Sequence, residues 1–360
     1  MEPSSEIPFD FSVLRPRADL SGIDLSGQRL VGVNLRGADL SEADLSGLEL
    51  TNALLDEANL RGANLRGARI TNTTLSAADL TEADGAGAGL ERVMLDRATL
   101  RAARLDGVVM KGSVLSGADL RGASLQAGML EGCHLQGATL ARCNLSEATL
   151  VGCTFMQANL ARATLQKANV HMAVFTEANI TEADFSEAKL VRAILEKATG
   201  PGSIFKGSTL ESVLATLADL SESDFTEATL VASIFERAAL FHATLVNLDA
   251  GKNIFDHADL REAAMRASDF THASFLGADF SAVDASDCVF HGADFYWAQT
   301  ATFTTTSCDV SDVREPETVT VKYGTDVLLP PFHFVPLYRT RATVEERRDL
   351  LKVALELDVP

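Results

Sequence analysis

The chain has 360 residues, is 46% hydrophobic but only 6% aromatic, and carries a formal net charge of −19. It holds no run of about 18 apolar residues, and its start, Met1-Glu-Pro-Ser-Ser-Glu-Ile-Pro8, lacks the basic and apolar stretches of a secretory leader, so the reading is a soluble, cytoplasmic chain with no membrane segment. Such an acidic balance argues against nonspecific binding to nucleic acid or anionic lipid and points to basic partners or simply to solubility, while five cysteines are too sparse, and odd in number, for a disulfide scaffold.

Residues 1–17 carry no repeat. Their apolar stretch, Ile7-Pro-Phe-Asp-Phe-Ser-Val-Leu14, is expected to cap the first edge of the repeat region, because an open β edge invites pairing.

From residue 18 to 312 the chain repeats every five residues. A large apolar side chain falls at Leu20, Leu25, Leu30, Leu35 and Leu40, and in the same phase at Leu120, Phe185, Phe255 and Phe295. Of the 59 such positions from 20 to 310, only Gly85, Gly200, Ala215, Ala250, Ala285, Thr300 and Thr305 depart, so no insertion breaks the phase. A small residue, usually Ala, sits two places earlier, often with Asp, Asn or Thr between, as in Ala38-Asp39-Leu40. A period of five matches neither a helix nor a flat strand, and the chain must turn a corner in every pentad. Four corners close a square of 20 residues. The sequence supports that closure: every position from Ala18 to Ala298 in steps of twenty is Ala, whereas the equivalent positions of the other faces admit Val, Ser, Cys, Leu and Gly. Gly85 and Gly200, with no side chain at a central position, are expected to leave the square unfilled and locally weak.

Unbroken tandem Ala-(Asp/Asn)-Leu pentads resemble the pentapeptide-repeat family over about four fifths of the chain. The resemblance implies an all-β, right-handed quadrilateral β-helix, with the central Leu or Phe and the preceding small residue inward and the other three positions outward. About 15 coils at a strand spacing of ~4.8 Å give a rod roughly 70 Å long.

Residues 313–360 form the expected C-terminal cap. Glu317-Thr-Val-Thr-Val-Lys-Tyr323 alternates like a strand, Phe332, Phe334, Val335, Leu337 and Tyr338 cluster, and Thr343-Val-Glu-Glu346 reads as a capping box opening a helix over about 343–357. Leu350, Leu351, Ala354 and Leu355 share one face of that helix, for packing on the rod's end or for a homodimer contact.

Candidate chemistry is thin. Cys133, Cys143, Cys153, Cys288 and Cys308 occupy small inward positions and read as Ala substitutes. His272 and His291, with Asp269 and Asp287 nearby, are the only grouping that suggests a metal site, and without tight ligand spacing they read as solvated surface. No catalytic residue, metal or cofactor is expected. Acyltransferases built on a triangular β-helix repeat every six residues, which the five-residue period excludes.

Two outward features remain. On the fourth face Val174, Ile194, Leu214, Ile234 and Ile254 follow one another in successive coils, an expected exposed aliphatic stripe about 20 Å long at strand spacing, read as a side-chain ladder that stiffens the sheet or as a docking stripe or a groove covered by a terminal segment. Charge is the second: residues 171–312 hold 22 acids against 8 bases, and residues 91–170 hold 6 against 9. Asp219, Asp224, Asp259, Asp269, Asp279 and Asp284 are the expected carriers of the acidic surface, projecting from solvated corners.

The reading is a non-enzymatic interaction scaffold or adaptor with a protein partner, such as a component of a secretion system. The resemblance adds an alternative: quinolone-resistance members of the family are acidic dimeric rods that mimic DNA and occupy the DNA-binding saddle of type II topoisomerases. This chain is longer and has a basic middle.

Overall fold

The computed structural model describes residues 11–300 and 302–314. The expected C-terminal strand and helix, with Leu350, Leu351, Ala354 and Leu355, lie outside the described residues. Apart from a single 3₁₀ turn at Phe11–Val13, the described secondary structure is entirely β.

Every strand pair and isolated bridge joins residue i to residue i+20 in parallel, from Asp19 with Asp39 to Asp294 with Arg314, giving about 14 turns. Three-residue strands at Arg29–Val31, Glu49–Thr51, Arg69–Thr71, Gly89–Glu91, Val109–Lys111 and Met129–Glu131 stack as one parallel sheet on the third face. The four faces are labelled by their outward residues: Asp19, Asp24, Arg29 and Asn34 stand on the first, second, third and fourth in the opening coil.

One pentad shows where the backbone groups go. Leu35 N–H donates to Leu54 O in the next coil at 2.7 Å, Gly37 N–H to Asp56 O at 2.9 Å, Ala38 N–H closes the corner onto Leu35 O at 3.0 Å, and Asp39 N–H reaches back to Ala18 O at 2.9 Å. That leaves Arg36 N–H, which donates to the side-chain Oδ1 of Asn34. The Asp or Asn of the motif is therefore an acceptor for the corner amide that the ladder misses, an Asx turn. The same bond recurs from Ser41 N–H to Asp39 and from Ser186 N–H to Asp184. Such bonds favour the ionised carboxylate: Ser26 holds Asp24, and Ser41 holds Asp39, below the usual range.

At three places where the face residue is not Asp or Asn, an acid one coil back substitutes. Thr74, Ser124 and Ser274 stand in such places, and Ser76, Gln126 and Leu276 donate their N–H to Asp56, Asp106 and Asp256 respectively.

The corner also fixes a backbone conformation. Every fifth residue from Arg17 to Asp312, always the second of the corner, has φ between 50° and 70°. Glycine holds 19 of these positions, while Glu, Arg, Lys and other side chains hold the rest at a cost of about 1–2 kcal/mol each.

At some corners the small inward residue cannot donate to its own turn, and a polar side chain in the next coil accepts instead. Val93 N–H donates to Ser113 Oγ, Val213 N–H to Ser233 Oγ, Ser233 N–H to Asn253 Oδ1, and Cys288 N–H to Cys308 Sγ. All five cysteines are free, four buried and Cys308 half-buried. The inward placement holds, but Cys308 acts as a hydrogen-bond acceptor rather than only as an Ala substitute. Burial alone pushes the Cys143 thiol up.

The core compensates volume within each coil. Where the central residue shrinks to Ala215, Ala250, Ala285 or Thr305, the small position two residues earlier enlarges to Val213, Leu248, Val283 or Phe303, all buried. The gap expected at Gly200 is absent, whereas at Gly85 it is only partly closed, Leu65 and Leu80 beside it each keeping 5% of their surface accessible. Cβ atoms built at these glycines would lie 2.8 Å from Leu105 Cδ2 and 2.5 Å from Ile180 Cγ1, so a neighbouring side chain leans into each position. From Phe155 onward, rings stack between coils: Phe155 on Phe175 at 4.9 Å and Phe205 on Phe225 at 4.8 Å between centroids.

Leu120, fully buried, should tolerate no charge: Leu120→Arg should cost several kcal/mol because the guanidinium has no partner in a dry core. Arg121→Ala removes only an exposed pair with Asp119 and should cost about 0–1 kcal/mol, the comparison being read by thermal melts. Gly200→Ala should destabilise by about 1–3 kcal/mol through its clash with Ile180, while in the unmodified chain amide exchange at Gly85 and Gly200, whose N–H groups keep their ladder bonds to Arg104 O and Asp219 O, should be as slow as in flanking coils.

Candidate interaction surface

The fourth-face aliphatics do stack, with bridges running Val174 to Ile194 to Leu214 to Ile234 to Ile254. The expected exposure is corrected: Ile234 and Ile254 are buried at 2% and 5%, and Val174, Ile194 and Leu214 are half-buried. In-register neighbours 20 residues before and after cover each side chain, so the column closes on itself as a hydrophobic ladder.

The six expected acids also need correction. They stand in the middle of faces, not at corners, and their carboxylates are engaged. Asp219, Asp224 and Asp269 accept from the N–H of Ser221, Thr226 and Thr271. Asp259 and Asp279 flank Arg261, and Asp284 pairs with Arg266 at 2.6 Å. The hydrogen-bonded Arg261 guanidinium holds Asp259 below the ordinary carboxylate range.

The exposed acids stand at the corners. On the two corners that bound the second face, Glu182 and Glu187 flank the half-buried Asp184, and Glu222 and Glu227 flank Asp224 in the same way 40 residues later, two coils along the rod. Glu262 and Asp287 extend the same corner columns, and every one of these Glu residues, with Asp287, has positive φ. Arg162 hydrogen-bonds Glu182, lowering its pKa, and Lys167 lies 3.7 Å from Glu187, whereas Glu222, Glu227 and Asp287 enter no ion pair among the described residues. Counting charge by segment conceals this surface; counting every twentieth residue would have found it. On the same corners and face, the preceding coils carry Arg101, Arg104, Arg121, Arg142, Arg162 and Lys167, so the charge of this side changes sign near residue 170.

His272 and His291 do meet, with ring centroids 5.3 Å apart, and His291 Nδ1 lies 2.8 Å from Ser311 Oγ. Among the described residues no three His, Cys, Asp or Glu side chains are grouped to hold a metal ion, and no described helix is long and apolar enough to cross a membrane. Trp297, exposed, stacks on Tyr296, over which Arg314 lies at 4.3 Å.

A family model of pentapeptide repeats matches residues 18–56, 49–84, 94–128, 130–160, 158–196, 255–284 and 265–299. The chain belongs to the pentapeptide-repeat family. No curated protein matches the sequence. Among solved structures, this pentapeptide-repeat protein is similar to a trypsin-treated form of QnrB1, a plasmid-mediated fluoroquinolone resistance protein, at 16% identity over 63% of this chain and 88% of that one, with a TM-score of 0.30. It is similar to HetL, a pentapeptide repeat protein involved in heterocyst differentiation regulation from the cyanobacterium Nostoc sp. strain PCC 7120, at 19% identity over 84% and 91% with a TM-score of 0.21. A mannuronan C-5 epimerase AlgE6 A-module from Azotobacter vinelandii matches at 8% identity over 84% and 90%, with a TM-score of 0.27. None of the three bears on what this chain binds.

One buried acid offers a test of the acceptor supplied from one coil back. Asp256 is 3% exposed, accepts from Ser274 Oγ and Leu276 N–H through one oxygen, and has its pKa raised, chiefly by burial. A carboxyl raised in the folded state binds more protons folded than unfolded, so its contribution to stability improves as pH falls through the folded value. Asp256→Asn keeps the accepting oxygen without the charge and should raise the melting temperature at pH 7, the gain shrinking as pH falls through the raised folded value, whereas Asp256→Ala should lower it throughout.

Proposed function

We propose that the protein is a non-enzymatic interaction scaffold whose second face, from Glu182 to Asp287, engages a basic macromolecular partner. The observation that carries this reading is the recurrence of exposed acids in two corner columns, Glu182, Glu222 and Glu262 in one and Glu187, Glu227 and Asp287 in the other, of which Glu222, Glu227 and Asp287 enter no ion pair among the described residues.

A second reading, DNA mimicry, rests on charge density. Residues 171–312 carry a net −14 over about seven coils, roughly one charge per 2.4 Å against the ~1.7 Å of duplex DNA. Its partner would be a protein with a basic DNA-binding groove, a type II topoisomerase being the one the family suggests. An adaptor docking through the fourth-face aliphatics has less support, since that column is largely covered. Cytoplasmic location and dimerisation through the C-terminal residues belong to the same proposal and rest on sequence.

The test uses the full chain as bait and a type II topoisomerase as one defined prey. Under either reading, capture of a basic partner should fall at least about tenfold between about 50 and 200 mM salt. The triple variant Glu222→Gln, Asp224→Asn, Glu227→Gln should lose that capture with its melt unchanged, because the amide oxygen replacing the Asp224 carboxylate still accepts from Thr226 N–H. Topoisomerase binding supports mimicry, capture of another basic protein supports the scaffold, and capture that survives both salt and the variant overturns the acidic face.

A further inference from the structure

On the second face and its two corners, the charges on one side of residue 170 are answered by opposite charges on the other. Bridges join the outward residues of this face without interruption from Asp24 to Asp284, so its columns run continuously with one rung per coil. Each coil therefore has an opposite, found by counting rungs outward from the gap between residues 162 and 182. Arg162 and Lys167 stand opposite Glu182 and Glu187, Glu147 opposite Lys206, and Arg121 opposite Glu222. Farther out, Glu82 and Asp84 stand opposite a coil in which Arg261 and Arg266 outnumber Glu262, and Arg66 stands opposite Asp287. Arg101 falls opposite Phe241 and Arg142 opposite Gly202. With histidine neutral, no coil from Arg66 to Asp287 has an opposite of its own net sign.

Within one chain only the central pairs meet, Arg162 with Glu182 at 2.8 Å and Lys167 with Glu187 at 3.7 Å. Glu147 and Lys206 are exposed on the same corner column, three coils apart, and enter no ion pair among the described residues. A stack of ladder-bonded coils does not fold back on itself. A second rod does bring the opposites together when it is turned end for end about a two-fold axis lying across the face. Such a contact is isologous, so every pairing occurs twice, over a length of roughly 50 Å at ~4.8 Å per coil.

We propose that the second face is a self-recognition surface, on which a second copy of this chain docks antiparallel with the two-fold axis between residues 162 and 182. The inference rests on the second face being a binding surface, and it names the basic partner as the Arg and Lys coils of the second copy. The charges fix the register. Sliding one rod by one coil sets Glu182, Asp184 and Glu187 against their own copies, or Arg162 and Lys167 against theirs. Sliding it by two sets Glu82 and Asp84 against Glu222 and Glu227, or Arg121 against Arg261 and Arg266. A parallel two-fold pair would set every coil against itself. The acidity of the whole chain does not prevent the contact, because charges farther apart than ~8 Å are largely screened at about 0.15 M salt and the facing coils decide.

Sedimentation equilibrium of the full chain, taken to about 100 µM in about 0.15 M salt, should show a dimer. Raising the salt to about 1 M, where the screening length is ~3 Å, should return the monomer. Two variants, Arg121→Glu with Glu147→Lys and Glu222→Arg with Lys206→Glu, each set like charges together and should weaken self-association at least about tenfold. Mixed, they restore opposite charges at every one of these contacts, and the dimer should form again. All four residues are exposed at corners, and thermal melts check that the fold is intact. Where a double variant melts early, Glu147→Lys mixed with Lys206→Glu gives the same comparison with no ion pair lost. An unmodified chain that stays monomeric, a dimer indifferent to salt and to both variants, or variants that stay monomeric when mixed overturns the two-fold pairing. A monomer that still captures a basic protein rejects self-recognition and keeps the acidic face as a scaffold surface. A dimer that follows the mixing pattern but captures no other protein keeps self-recognition and rejects the scaffold.

Discussion

Everything in this molecule depends on keeping residue i above residue i+20. The ladder bonds, such as Leu35 N–H to Leu54 O, form only if each pentad turns by the same amount, and the turn needs a positive φ at every fifth residue. One inserted residue would move a leucine outward and a corner inward in every later coil. The absence of any insertion across 59 pentads is therefore a mechanical requirement, and the chain tolerates strained corners rather than lose it.

The inward half of the structure was legible in the sequence because burial has a period. Leu20, Leu25 and Leu30 announce the square, and the invariant Ala18 to Ala298 column gives its size. What was not legible is how departures from the pattern cancel. Ala250 and Leu248 look like two separate irregularities in a sequence, and only packing shows that one supplies the volume the other lacks. Gly200 reads as a gap because nothing in a sequence says that Ile180, one coil earlier, leans into it.

The outward half was harder for a different reason. Position relative to solvent does not say whether a side chain is free to act. Ile234 points away from the core and is still covered by its stacked neighbours, and Asp219 is charged yet serves the Ser221 amide. The acids of the motif have a structural duty, so they report little about partners. Corner residues have no such duty beyond adopting the turn, and there Glu222 and Glu227 are exposed and enter no ion pair among the described residues. The C-terminal helix expected around 343–357 lies beyond the described residues and adds nothing to this account.

Because coils meet only through identical ladders, surface chemistry on this rod comes in fixed increments. Two groups on one face can be separated by one coil, two coils or more, but by nothing between, and the two acidic groups Glu182-Asp184-Glu187 and Glu222-Asp224-Glu227 sit two increments apart, ~10 Å. Duplicating or deleting twenty residues would shift such a pair by one step while leaving each coil's own contacts intact. The rod thus behaves as a graduated ruler, on which evolution can match a partner's spacing by changing the number of rungs instead of redesigning any one of them.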